Sequence, residues 1–202
     1  MAAAPELAAD AAKRLRNNRH TSETAEWYTP PTIVEAARAT LCEIDLDPAS
    51  TVMANQTVKA ARFYDELDNG LLCEWGGRVF LNPPGGRCDE HGQRVESGGH
   101  SAQKAWWFKL AREFASGRVT CAVFLGFSIE ILQTTQVDPP VGLPLPLDFP
   151  LCFPSRRIPF IDETGVTVKG NTHASVIVLV GNGSALRARF ERAFMSIGRV
   201  RG

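Results

Sequence analysis

No two cysteines in this sequence stand as Cys-x-x-Cys, and the five present (Cys42, Cys73, Cys88, Cys121, Cys152) are an odd number, widely spaced. That excludes a disulfide framework and fits reduced thiols. Cys121 and Cys152 lie in apolar runs and read as small buried hydrophobes. Long apolar stretches are also missing. The longest, such as 119–127 and 174–180, fall far short of the ~20 residues that span a bilayer, so no membrane role is expected. No basic start leads into a long apolar region, so no secretory signal is read and a cytoplasmic protein is the expectation. Net charge is absent: 22 basic residues meet 22 acidic ones. Composition therefore does not announce a strongly basic nucleic-acid binder. There is no P-loop, no Ser-His-Asp ordering, no helical His-Glu-x-x-His and no internal repeat.

What is present is ordinary in bulk and uneven in detail. Hydrophobic residues make up 44% and charged residues 22% of 202 residues, which excludes a disordered chain. Between 43 and 74 stand seven acids against Lys59 and Arg62, whereas five arginines and one acid follow position 185. Residues 13–19 hold a second basic cluster, Lys13, Arg14, Arg16 and Arg19. Seventeen of the basic residues are Arg, the side chain suited to bidentate contact with phosphate.

Residues 1–22 read as a loose basic tail, and 23–202 as one folded domain. The Thr29-Pro30-Pro31-Thr32 run opens a helix, with Thr32 and Glu35 as a capping box. A strand is expected over 43–46 and a helix over 52–63. Residues 78–81 read as a buried strand, and 85–100, with five glycines, as a loop. Ser101 caps a helix to Ala115, closed by Gly117. Residues 119–125, 158–161 and 174–180 read as strands, and Ser184 caps a last helix. Seven of the thirteen prolines lie in 137–159, which predicts an irregular segment. Helices alternating with short buried strands give an α/β fold with a mostly parallel sheet and helices on both faces.

The chemistry concentrates in Val79-Phe80-Leu81-Asn82-Pro83-Pro84. A buried strand runs straight into Asn-Pro-Pro. Ligands of open α/β sheets sit at the carboxyl ends of strands. Two prolines fix the backbone and remove two N–H donors. A rigid turn of acceptors remains, the Asn82 side-chain oxygen and the Pro83 carbonyl. Two convergent acceptors suit an amino group, which has two hydrogens to donate.

The chain order then matters: Glu26-Trp27-Tyr28-Thr29-Pro30-Pro31, next Ile44-Asp45-Leu46-Asp47-Pro48-Ala49-Ser50, next Leu81-Asn82-Pro83-Pro84. With Ala60-Ala61-Arg62-Phe63-Tyr64, Lys104-Ala105-Trp106-Trp107 and Phe153-Pro154-Ser155-Arg156-Arg157-Ile158, this set resembles the phage and prophage N6-adenine DNA methyltransferases. The resemblance covers most of 26–180. It implies a Rossmann-like fold, S-adenosylmethionine (SAM) as methyl donor, double-stranded DNA as partner without an obligate protein partner, and work in a bacterial host cytoplasm. Residues matching the family's cofactor motifs are Tyr28, Thr29 and Pro30, then Asp45, Asp47, Pro48 and Ala49. Asn82, Pro83 and Pro84 match its catalytic motif. In such enzymes the target adenine is flipped out, and N6 donates to the Asn oxygen and the first Pro carbonyl. Positioning then supplies most of the acceleration.

Two departures stand out. Gly85 replaces the aromatic that usually follows and stacks on the base, so stacking comes from elsewhere, with Trp106 and Phe127 as candidates, or is absent. After Ser50 no glycine follows. Asp65 is placed to meet a ribose hydroxyl or to form a solvated turn before Gly70. Arg156 and Arg157 are candidates for phosphate, as are the basic clusters at 13–19 and 187–201. Cys88, His91 and His100 lack a fourth ligand, so no metal is expected. His173 reads as a packed or capping residue. With no room for a separate recognition domain, recognition falls to 85–100, 133–159 and the basic ends. Two other readings stay open: methylation of another planar amine, such as cytosine N4 or a glutamine amide, and a decayed, non-catalytic nucleic-acid-binding module.

Overall fold

A computed structural model of the chain describes residues 27–89, 94–95, 98–162, 165–167 and 173–202. The tail at 1–22 with its basic cluster, the expected start of the fold at Glu26, and His91 lie outside the described residues.

The chain runs through α1 (Pro31–Leu41), β1 (Leu46–Asp47), α2 (Val52–Val58), β2 (Arg62–Phe63) and β3 (Gly77–Leu81). Three short strands follow, β4 (Arg87–Cys88), β5 (Arg94–Val95) and β6 (His100–Ser101). Then come α3 (Ala102–Ala115), β7 (Val119–Gly126), α4 (Ile131–Thr134), β8 (Leu151–Pro154), β9 (Val176–Val180), α5 (Ser184–Phe194) and β10 (Gly198–Arg201). Seven strands form one sheet in the order β10-β8-β9-β7-β3-β1-β2. Pairings β2–β1, β1–β3 and β3–β7 are parallel, and β7–β9, β9–β8 and β8–β10 are antiparallel. The parallel expectation therefore holds for one half of the sheet only. In the other half only β8 and β9 are neighbours both in sequence and in the sheet; β7 reaches β8 across β9, and α5 carries the chain from β9 across β8 to β10.

Side-chain alternation explains how the sheet holds its layers. Phe80 of β3, Cys121, Val123 and Leu125 of β7, and Ile177 and Leu179 of β9 face one way, onto Val34, Ala37 and Leu41 of α1 and Phe190 and Phe194 of α5. Val79, Leu81, Ala122, Phe124, Val176 and Val178 face the other way, onto Trp106, Trp107 and Leu110 of α3. Helices thus cover both faces, as the apolar runs of strands buried on both sides require. The five cysteines are free, with Cys121 and Cys152 buried as read from the sequence.

Several local expectations change. The Thr32–Glu35 box does not form. Pro30 is the N-cap, Pro31 occupies the first helical position and Thr32 is exposed. Proline suits that position because its fixed φ is helical and its missing N–H would be unpaired anyway. The helix expected over 52–63 stops at Val58, where Lys59 turns left-handed at φ 50°. Asn55 clasps Ala60, Oδ1 accepting from its N–H at 2.8 Å, and Arg62–Phe63 becomes β2 beside β1. Residues 158–161 form no strand. Ile161 instead makes isolated bridges to Tyr28 and Thr167. The proline-rich segment contains β8, because Pro150 and Pro154 flank the run and only the last strand residue lacks an N–H. The polar loop at 85–100 carries the three-stranded antiparallel sheet β5-β4-β6. Arg87 draws in the approach to β6, its guanidinium donating to the Gly98 and Gly99 carbonyls.

One topological fact positions the site. From β1 the chain goes outward to β2, then returns to lie on the other side of β1 as β3. The strand order reverses between β1 and β3. A crevice opens at such a switch point, outside the carboxyl ends, and ligands of open α/β sheets bind there.

Candidate functional site

The two strands at the switch point end in Asp47-Pro48-Ala49-Ser50 and Asn82-Pro83-Pro84. The neighbouring parallel strands end in Tyr64-Asp65 (β2) and Phe127-Ser128 (β7). β8 runs in the direction of β7, since each is antiparallel to β9, so Ser155-Arg156-Arg157 leaves the sheet at the same rim.

Asn82 is half-buried, and its Nδ2 donates to the Trp27 carbonyl at 3.0 Å. A carbonyl can only accept, so the amide orientation is fixed. The side-chain oxygen points away from that bond, and no described residue donates to it. Trp27 is itself held in place. Tyr28 exchanges backbone hydrogen bonds with Ile161 at 2.8 and 3.0 Å, and Pro30 caps α1. Thr29 and Pro30 are buried beside this anchor. The entering chain therefore braces Asn82, which is a local reason for a Trp-Tyr-Thr-Pro-Pro run before the first helix. Pro83 is buried and Pro84 exposed.

Asp47 is 2% exposed. Burial pushes its carboxyl up to about 7, opposed by the Ser50 hydroxyl nearby and by the Ala49 N–H, which donates to Oδ1 at 3.3 Å. Ser50 Oγ lies outside hydrogen-bonding geometry with every described group, the carboxyl included. The only other buried side-chain polar atom without a partner among the described residues is Gln103 Oε1. It lies in the first turn of α3, and Ala102 N–H ties that turn to the Gly86 carbonyl at 3.1 Å. Both orphaned oxygens thus belong to the carboxyl-end side of the parallel strands. Neither had been read as functional. Only the fold reveals them, because a buried polar atom with no partner is a tertiary fact.

A turn over 65–73 packs against the end of β1. Asp65 Oδ1 accepts from the Leu67 and Asp68 N–H groups at 2.9 and 3.3 Å, so this carboxylate organises the turn, and its other oxygen is uncommitted among the described residues. Gly70 seats the turn. A Cβ there would stand 2.0 Å from the Pro48 carbonyl oxygen, so any side chain would lift the turn off β1. Trp75 Nε1–H donates to the Gly70 carbonyl at 2.7 Å.

Three expected site residues are corrected. Asp45 sits at the amino end of β1, opposite the site. Its carboxylate takes the Arg78 N–H at 2.7 Å and the guanidinium Nε and Nη2 at 2.8 Å each. The Arg78 hydrogen bonds hold it below the usual carboxylate range. It is a structural clamp at the strand end away from Asn82. Gly77 makes room for it, at φ +73° with a would-be Cβ 2.5 Å from Asp45 Oδ2. Trp106 is 6% exposed and stacks on Trp75, with centroids 5.8 Å apart, so it is a core aromatic with no free face for a base. Among the C-terminal arginines, Arg189 is used internally, Nε donating to the Thr40 carbonyl at 2.8 Å.

Phe127 is half-buried at the end of β7, and its ring lies 3.5 Å from where a Gly85 Cβ would stand. His173, exposed, meets that ring edge-to-face at 6.0 Å. Arg156 and Arg157 are exposed on the turn after β8. Cys88 is buried, and its backbone pairs with that of His100 across β4 and β6. Among the described residues no group of acids, cysteines and histidines is arranged to hold a metal ion.

No protein-family model, curated protein or solved structure matches this chain. No helix among the described residues is long and apolar enough to cross a membrane.

Proposed function

We propose that this chain is a SAM-dependent methyltransferase of Rossmann-like fold that methylates the exocyclic N6 amine of a flipped adenine in double-stranded DNA. One observation carries the reading. At the carboxyl end of β3, beside the switch point, Asn82 is braced through its nitrogen by Trp27, and its oxygen takes no hydrogen bond from any described residue. The Pro83 carbonyl follows on a backbone that two prolines hold rigid. An amine donating to both acceptors has its two hydrogens held and its lone pair turned outward, ready for in-line attack without a strong base. Preorganised acceptors of this kind need no rearrangement at the moment of reaction.

The donor chemistry of the neighbouring strand ends fits the cofactor. Asp47, the orphaned Ser50 hydroxyl and Asp65 offer oxygens at the ends of β1 and β2, where an ammonium group and ribose hydroxyls need acceptors. When bound, SAM supplies an electrophilic methyl group. The protein's own work is to hold the amine and to keep it fixed relative to the strand ends. Phe127 supports the base-stacking role: its ring fills the space beside Gly85, which an aromatic at that position would otherwise occupy.

The test is to incubate the full chain with methyl-labelled SAM and unmethylated DNA, digest the DNA and identify the labelled nucleoside. N6-methyl-2′-deoxyadenosine is expected. Label in N4-methylcytosine or in protein amide moves the reading to another planar amine, and no label with no saturable SAM binding leaves the decayed module.

A further inference from the structure

The antiparallel edge of the sheet carries a feature that the catalytic reading does not use. Between the exposed side of α5 and the edge strand β10 lies an open groove of about 970 Å³. Its charged lining is Arg187, Glu191, Arg192, Arg199 and Arg201, with Ser155 at one end. Glu191 is the one acid among them, and it is already taken by Arg187, Nε to Oε1 at 2.8 Å. Arg192 and Arg199 have no partner among the described residues. Arg201 reaches only the carbonyl of its neighbour Val200 at 3.2 Å. Three guanidinium groups of one groove therefore have no ion-pair partner among the described residues.

The layout is that of a track. Alternate residues of a strand point the same way, about 6.8 Å apart. Val200 packs partly on the core, so Arg199 and Arg201 are turned outward together. β10 starts with Gly198 opposite Pro154, and Ser155 is fastened to the Ile197 carbonyl through N and Oγ at 3.0 and 3.1 Å. The top of the groove is thus the same turn that carries Arg156 and Arg157 to the rim. Arg199 and Arg201 on β10 and Arg192 on α5 line the groove, and its Ser155 end leads to Arg156 at the rim along which, past β9 and β7, β3 ends in Asn82.

From this we infer that the α5–β10 groove seats one phosphate backbone of duplex DNA and delivers the duplex to the rim. The inference rests on the proposed reading for the identity of the polyanion. Arginine favours it: the planar guanidinium grips phosphate bidentately and is weakly hydrated. Contacts of this kind position the duplex and carry no sequence information. The competing role is blunting of an exposed sheet edge, for which charged side chains are also used.

The experiment uses the full chain without cofactor. Fluorescence anisotropy with a labelled 30-base-pair duplex is followed across a salt series, for the wild type and for Arg192→Gln/Arg199→Gln/Arg201→Gln. Each lost phosphate contact removes about 0.9 from the slope of log K against log salt, so the slope is expected to flatten by about 2–3. The loss should be equal on two unrelated duplex sequences, and the Lys triple variant should restore the slope. Far-ultraviolet circular dichroism and size-exclusion chromatography confirm that each variant is folded and monodisperse. An unchanged slope overturns the inference, as does a variant that aggregates while its soluble fraction keeps the wild-type slope, which is the edge-blunting result. Polyglutamate competing as well as duplex DNA, or binding confined to single strands or RNA, also overturns it. Asn82→Ala must bind duplex with the wild-type slope. A wild type that binds duplex and transfers no methyl group sinks the catalytic reading and leaves the groove standing. A wild type that methylates DNA while the triple variant keeps its slope does the reverse.

Discussion

Two ends of the same pair of strands are built differently. At the amino ends of β1 and β3, Asp45 receives three hydrogen bonds from Arg78, whose Nη2 also reaches Glu43 Oε2 at 2.6 Å. At the carboxyl ends, Asp47 is buried with no described cation beside it, Ser50 Oγ has no partner, and the Asn82 oxygen accepts nothing from a described residue. The two aspartates are two residues apart, one just before β1 and one at its end. One is half-exposed and fully satisfied; the other is enclosed and undersatisfied. A charge that finds its cation within the fold is spent on structure. A buried carboxyl and hydroxyl left short of donors are stabilised only by something that comes from outside, and such groups concentrate at functional sites.

The largest effect that sharpens this contrast is on turnover. Asn82→Ala is expected to lower methyl transfer by about 10²–10³-fold or more, the usual cost of one preorganised polar group at the reacting centre. SAM should still raise the melting temperature, because the lost acceptor meets the substrate amine. Asn82→Asp separates bracing from accepting. It keeps an acceptor and sets an oxygen against the Trp27 carbonyl, so its activity should lie between the two. A near-normal rate in the Ala variant would reduce Asn82 to a strand-exit cap.

The next effect is on stability against pH. The Asp47 carboxyl titrates near 7 in the fold, and near 3.9 in the unfolded chain. Between those values the native state holds a proton that the unfolded state has released, so stability falls as pH rises through about 4 to 7 and is level above. Asp47→Asn should remove that fall and gain about 2–4 kcal/mol at pH 8, read as urea midpoints across pH. The same variant should lose the stabilisation given by SAM, which for the wild type is about 2.7 kcal/mol at 100 times its dissociation constant. A flat wild-type profile would place Asp47 in contact with an unseen donor.

At the other end of the strands, Arg78→Ala should cost about 1–2 kcal/mol, since the clamp is part-exposed and screened. Methyl transfer at a temperature where the variant is folded should be unchanged. A fall in rate without a fall in stability would erase the distinction between the ends. The smallest effect is at Asp65. Asp65→Ala removes the acceptor that organises the 65–73 turn and should cost about 0.5–1 kcal/mol. If Asp65 also meets a ribose, SAM affinity falls with it, measured by calorimetry.

The strands buried on both faces were legible in the sequence, because apolar runs such as Val176–Val180 need no partner to be recognised. The two-residue strands were not. Arg62–Phe63 owes its extension to hydrogen bonds with Asp45 and Asp47 carbonyls, and nothing in Ala-Ala-Arg-Phe-Tyr states that. Leu151–Pro154 was hidden by its prolines, which mark the ends of the strand and leave its middle free. In the site, Asn82 could be read because a double proline on a strand is rare and chemically explicit. Asp45 and Trp106 could not be sorted from the other candidates, since motif membership does not say which end of a strand or which side of a helix a residue takes. Gln103 had no local signal at all.

Arg189 bridges to the Thr40 carbonyl across 149 positions, and α1 lies against α5 in one apolar layer. While the chain is being made, α1 leaves the ribosome without the helix it packs on. At about 5–20 residues per second, roughly 7–30 s pass before that helix is synthesised. Through this interval Ile33, Val34 and Leu41 have no α5 to cover them, and the neighbouring Phe80 and Val123 wait with them. That apolar layer is therefore incomplete until residues 184–194 have been made.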